Sequence, residues 1–163
     1  MTDNQAPVAA PETAPATRAT ALAHYVRAEG LRIPRRLLST LTSRLLEGLG
    51  EDGLRAWCQA VGHDWAQAEQ ERFASSGTLE SLADALNSCW ADARWGWIEL
   101  QETDDGLEVM HHGAPIADAH PSLVGVLEGF YDTVFKLLGA DPDMAVQLVA
   151  ASDDGFDLHL RLV

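Results

Sequence analysis

The sequence is poor in cysteine and in positive charge, and it has no long apolar run. Cys58 and Cys89 are its 2 cysteines, too few for a disulfide-stapled scaffold. Each falls in an apolar helical stripe, where a lone thiol is usually a small buried hydrophobe. Both are expected to be reduced and structural. The 11 Lys and Arg stand against 25 Asp and Glu, a formal charge of -14. Such a balance repels phosphate backbones and anionic headgroups alike, which argues against nucleic acid and membrane surfaces as partners. The apolar runs are too short to span a bilayer, and no basic segment followed by an apolar one opens the chain. The expected compartment is the cytoplasm.

The motifs of common chemistry are missing too. There is no G-x-S-x-G elbow, no phosphate-cradling loop and no dinucleotide fingerprint, so no cofactor is expected. Neither cysteine has a second Cys or a His at ligand spacing. His111 and His112 are the one close histidine pair, and neighbours in a strand point to opposite faces, so they cannot share one ion without leaving the ladder. One should be solvated and the other packed. No metal site is expected.

What the chain does contain is enough for one core: 163 residues of which 47% are hydrophobic, a single-domain size. Residues 1–20 are Ala, Pro, Thr and polar side chains with little to bury, and read as a disordered tail. The expected domain runs from 21 to 163. Pro34 suits a first helical position, and Leu38, Leu41, Leu45 and Leu49 follow at helical spacing until Gly48 and Gly50. A second stripe of Leu54, Trp57, Cys58, Val61 and Trp65 carries a helix from Glu51 to about Phe73, with Gly62 as its weak point. Thr78 is a plausible N-cap for a third helix whose Leu79, Leu82, Leu86, Trp90 and Ala93 share one face.

The period then changes. Residues 95–102 alternate, Asp104, Asp105 and Gly106 turn the chain, and Leu107 to His112 returns, which is a hairpin. Pro121 opens an amphipathic helix bearing Leu123, Leu127, Phe130, Tyr131, Val134 and Leu138 and closing near Gly139. Met144 to Ala151 and Phe156 to Val163 form a second hairpin around Asp153, Asp154 and Gly155. The fold class is therefore α+β: N-terminal helices plus a four-stranded antiparallel sheet made of two hairpins with a long helix between them. One sheet face should bury Ile98, Leu100, Val109, Leu158 and Leu160. The other should show Trp95, Trp97, Met110, His112, His159 and Arg161 and meet either another helix of the chain or a second protomer.

Few residues invite a chemical role. The paired aspartates sit in Gly-ended turns, where turn chemistry alone favours Asp. Glu128 lies inside the apolar helix beside Gly129, where a carboxylate can be partly buried, although helical spacing favours a solvated face. Of the 5 tryptophans, Trp57, Trp65 and Trp90 fall on core stripes. Trp95 and Trp97 remain for a contact with glucan or with another protomer, with packing the better account of them.

The run Trp95-Gly96 into Trp97-Ile98-Glu99-Leu100, then Leu107 to His112 with Pro115 beyond, and above all Val126-Leu127-Glu128-Gly129-Phe130-Tyr131 followed by Gly139-Ala140, resembles the D subunits of bacterial cellulose synthase. The likeness to that family covers Thr78 to Val163 well and the first helices loosely. It implies an accessory protein without catalysis of its own, forming an octamer built from dimers that arranges synthase complexes in rows so that glucan chains crystallise together. It also implies contacts with the other synthase subunits and with a Pro-rich or disordered accessory protein. Similar proteins have been described as periplasmic. Under this reading Trp95, Trp97, Met110, His112, Glu128, Phe130 and Tyr131 are the candidates for oligomer and partner contacts. The rival reading from another class is an acidic secretion-type chaperone that holds a partly unfolded client.

Overall fold

The computed structural model describes residues 35–104, 106–114, 120–153 and 155–163. The tail expected over residues 1–20 lies outside them. Helix α1 spans Arg35–Ala68 and bends at Gly50, whose φ of 70° and ψ of 178° are not helical. The two leucine- and tryptophan-bearing stripes thus belong to two arms of one bent rod, and the expected break at Gly50 is where the bend falls. A short turn, α2, covers Gln70–Phe73 and drives Phe73 into the core. Helix α3, Leu79–Ala93, starts as expected at Thr78: the Thr78 side chain accepts from the Ser81 N–H and the Ser81 side chain accepts in return from the Thr78 N–H. Two otherwise orphaned donors are satisfied that way. A 3-10 turn at Pro121–Val124 leads into α4, Gly125–Leu137.

Gly62 was expected to weaken α1, and its role is the reverse. A Cβ there would lie 2.0 Å from the Val126 carbonyl oxygen, and one on Gly129 would lie 2.0 Å from the Gln59 carbonyl oxygen. Glycines on both helices let the backbones of α1 and α4 touch. The loss of helix propensity at Gly62, about 1 kcal/mol, is offset by a closer crossing than any side chain would permit.

Strands β1 (Trp97–Thr103), β2 (Gly106–His112), β3 (Val146–Ala151) and β4 (Asp157–Leu162) form one antiparallel sheet in the order β1-β2-β4-β3. The chain is an α+β fold with two hairpins joined through β2 and β4, α4 lying between them in sequence. Ile98 pairs with His111 and Leu100 with Val109, and across the centre Val109 pairs with Leu160 and His111 with Leu158. Ile98, Val109, His111, Leu158, Leu160 and Leu162 are buried on the helix side, and Leu100 is half-buried there. The strict alternation of β4 gives that face directly.

Helical side chains close both rims of the sheet at particular points. The Asn87 amide on α3 donates to the Ile98 carbonyl at 3.1 Å and accepts from the Ile98 N–H at 2.7 Å, standing where another strand would pair. On the opposite rim the Leu148 N–H donates to Glu128 of α4 at 3.0 Å. Polar side chains thereby occupy backbone groups that would otherwise template an edge-to-edge contact.

Four expectations about the helical stripes are corrected. Trp57 is 48% exposed and not a core residue, while Leu41, Leu49 and Val61 also stand in solvent. The core side of the second arm is Leu54, Cys58 and Ala66. The stripe is wider than the surface available to cover it, because only the side facing α4 is packed.

Candidate interaction surfaces

An aromatic cluster sits under β1. Trp90 of α3 is fully buried and meets Phe130 at 4.6 Å, Tyr131 at 5.7 Å and Trp65 at 5.3 Å between ring centroids. Trp95 joins it edge-on to Trp65 at 5.0 Å and stacked on Trp90 at 6.0 Å. This corrects the placement of Trp95 on the outer sheet face. Arg94 takes a left-handed conformation and Gly96 has φ 90°, with the site of its missing Cβ 1.8 Å from the His112 carbonyl oxygen. That non-extended step breaks the alternation, so Trp95 turns inward while Trp97 turns out.

His111 is buried in the same cluster. Its Nε2 lies 2.7 Å from the Trp95 carbonyl and its Nδ1 2.6 Å from the Tyr131 hydroxyl. A carbonyl only accepts, so Nε2 carries the proton and the bare Nδ1 accepts from Tyr131. Burial pushes the imidazole down to about 4 and the Tyr131 phenol well above its ordinary range. The expected division of the pair holds: His111 is packed and His112 lies on the outer face. Burial likewise raises the Cys58 thiol and pushes Cys89 up to about 11, which leaves both as inert packing groups.

Glu128 is a second correction. It is 2% exposed, not solvated. Arg55 of α1 engages both its carboxylate oxygens, the Gln59 amide donates to Oε2 at 3.1 Å, and the Leu148 N–H donates to Oε1. One carboxylate therefore ties α1, α4 and β3 together. Its partner lies 73 residues away, a separation that no local pattern reveals. Phe130 and Tyr131 are fully buried as well. Of the seven candidate contact residues, Glu128, Phe130 and Tyr131 are interior, Trp95 is half-buried inward, and Trp97, Met110 and His112 remain on the outer sheet face.

That outer face is ordered by pairs. Trp97 stacks on its cross-strand partner His112 at 4.4 Å, and His112 Nδ1 lies 3.2 Å from Asp157. The indole N–H of Trp97 has no acceptor among the described residues. Further along, Arg161 donates twice to Glu108 Oε1, at 3.1 and 2.6 Å. His159 Nε2 approaches Glu108 Oε2 at 3.2 Å but is not aligned for a hydrogen bond. Hydrogen bonding from Arg161 holds the Glu108 carboxyl below its usual range. Met110, half-buried, sits between the aromatic and the ionic pair.

Reasoning from the sequence passed over the outer side of α1, where Leu37, Leu41, Leu49, Trp57 and Val61 are all exposed. Among the described residues no helix is long and apolar enough to cross a membrane. Among the same described residues, no group of three or more His, Cys, Asp or Glu lies close enough to hold a metal ion. No curated protein sequence matches the chain. A family model does: that of the cellulose synthase D subunit, over residues 20–161.

Proposed function

The chain belongs to the cellulose synthase D-subunit family, and from that membership we propose that it is a non-catalytic scaffold component of the bacterial cellulose synthase complex. It self-associates, engages the other synthase subunits and a Pro-rich or disordered accessory protein, and arranges synthases in rows so that their glucan products crystallise together. It works from the cytoplasmic side, and its octamer is assembled from dimers.

The observation that carries this reading is how the reactive groups are used. Glu128 is spent on Arg55, Gln59 and Leu148, His111 on Tyr131 and Trp95, and both thiols on the core. These are packing assignments. Facing outward are half-buried Trp97 and Met110 beside the Glu108–Arg161 and His112–Asp157 pairs on the sheet, and exposed Leu37, Leu41, Leu49, Trp57 and Val61 along α1. A surface of that kind supports association more than chemistry.

Deleting the gene tests the proposal. Glucan should still be made, at comparable yield, with disordered X-ray diffraction and a dispersed arrangement of synthases. Loss of all glucan synthesis, or a product as crystalline as before, would overturn it.

A further inference from the structure

We propose that the cavity between α1 and α4 binds a primary alkylammonium ion, whose N–H donors are met by Gln59, His63 and Asp132. The inference stands apart from the scaffold reading and uses residues that reading leaves idle.

A cavity of about 330 Å³ lies between α1, α4 and the start of β3. Gln59 and His63 are one turn apart on α1, and Asp132 and Lys136 are one turn apart on α4, so helical spacing brings both pairs to the same gap.

The unused polar atoms there are nearly all acceptors. Thr133 has one hydroxyl proton and gives it to the Gly129 carbonyl at 2.7 Å. Its oxygen therefore accepts from His63 Nδ1, 2.9 Å away. That assigns the proton of the neutral ring to Nδ1 and leaves Nε2 a bare acceptor. The Gln59 amide nitrogen is used on Glu128 at 3.1 Å, which leaves Gln59 Oε1 as a second acceptor. Asp132 is the third. Lys136 donates to its Oδ2 at 3.0 Å, whereas Oδ1 is shielded from water and receives no donor among the described residues. The carboxylate turns easily about its last side-chain bond, so a donor arriving in the cavity can reach the idle oxygen. Glu128 also lines the cavity but is already saturated by Arg55, Gln59 and Leu148.

A shielded oxygen without a donor costs free energy, and the group that relieves it must donate. An ammonium brings three protons to three acceptors. A guanidinium brings five and would leave two unmet, and a carboxylate or phosphate would face acceptors with Lys136 as its one cation. Lys136 shows that Asp132 already takes an ammonium, and it is the competitor of an incoming one. Small residues, Ala60, Gly129 and Ala145, leave width for a methylene stem. The formal charge of -14 concentrates cations around the chain.

The test is calorimetric titration of the full-length protein with cadaverine at about pH 8 and about 150 mM salt. The imidazole is then neutral, the amine charged, and general attraction screened. Saturable binding at one site per chain is expected. Asp132→Asn and His63→Phe should each weaken it by about tenfold or more. Asp64→Asn removes the same charge beside His63 from an exposed residue outside the cavity, and should leave affinity within about twofold. Lys136→Met removes the competitor and should tighten binding by about threefold or more. Repeating the titration with Nα-acetyl-lysine amide separates two sources of the same group: tighter binding than cadaverine assigns the site to a lysine of a partner protein, weaker binding to a free amine. No saturable binding, or a loss in Asp64→Asn equal to that in Asp132→Asn, would overturn the proposal. Should Asp132→Asn fail to fold, Lys136→Met decides, because unchanged or weaker binding there would overturn it too.

Discussion

Trp95 and Trp97 are two residues apart in sequence and on opposite sides of the sheet, Trp95 stacked on Trp90 and Trp97 stacked on His112. In an unbroken strand they would share a face. The step at Gly96 separates them, and their substitutions should separate too. Trp95→Ala should cost about 3 kcal/mol by emptying part of an aromatic cluster. Trp97→Ala should stay within about 1 kcal/mol of the parent and remain folded. Urea denaturation followed by far-UV circular dichroism checks both, and equal losses would contradict the inward placement of Trp95.

Glu128 should behave as a tie between elements. Replacing it by Ala leaves Arg55, Gln59 and the Leu148 N–H without their acceptor and should cost about 3 kcal/mol, a figure already reduced because Arg55 is 42% exposed and partly screened. Glu128→Gln keeps the acceptor for Leu148 and should cost less. A double-mutant cycle with Arg55→Met should return a coupling of about 1–2 kcal/mol. Coupling near zero would mean that the ion pair contributes nothing to holding α1 on α4.

The helix crossing makes a geometric prediction. Gly129→Ala places a methyl group against the Gln59 backbone and should destabilise by about 3 kcal/mol or more. Gly48, helical and with open space where its Cβ would go, should gain about 0.5–1 kcal/mol on replacement by Ala. Thermal melts of the two variants should therefore move in opposite directions.

Acid should weaken the fold through His111. Its folded value of about 4 lies below the unfolded 6.5, so the unfolded chain binds the proton more readily within that window. The stability contributed is complete above pH 6.5 and is lost as the pH falls toward 4, by roughly 3 kcal/mol in all. His111→Phe lowers stability at neutral pH by stranding the Tyr131 hydroxyl, and it should flatten the decline between pH 6.5 and 5. Glu108, with its lowered carboxyl, adds a loss only at lower pH. A decline in that variant as steep as in the parent would mean that another group governs it.

The parts of this fold legible in the sequence are those with short-range causes. The Thr78 cap, the alternation of Leu158, Leu160 and Leu162, and the opposite facing of His111 and His112 each follow from neighbours a few residues apart. Long-range causes stayed hidden. Nothing near Glu128 announces Arg55, and helical spacing alone places Trp57 beside Cys58 without saying which of them α4 will cover. Gly62 read as a weakness because the backbone it faces, at Val126 and Phe130, belongs to another helix. For the same reason the contact candidates divided: Trp97, Met110 and His112 lie on the outer face of the sheet, whereas Phe130 and Tyr131 carry the core beneath it. The family likeness was legible because the Trp-Gly hairpin and the Leu-Glu-Gly-Phe-Tyr helix contain the residues that hold β1 and α4 in place.

Self-association is the claim on which the scaffold account turns, and the mass of the native full-length protein in solution tests it most directly. Light scattering at micromolar concentration should give about eight copies per particle, or dimers that assemble further as concentration rises. A species that keeps the mass of one chain across that range would contradict the account.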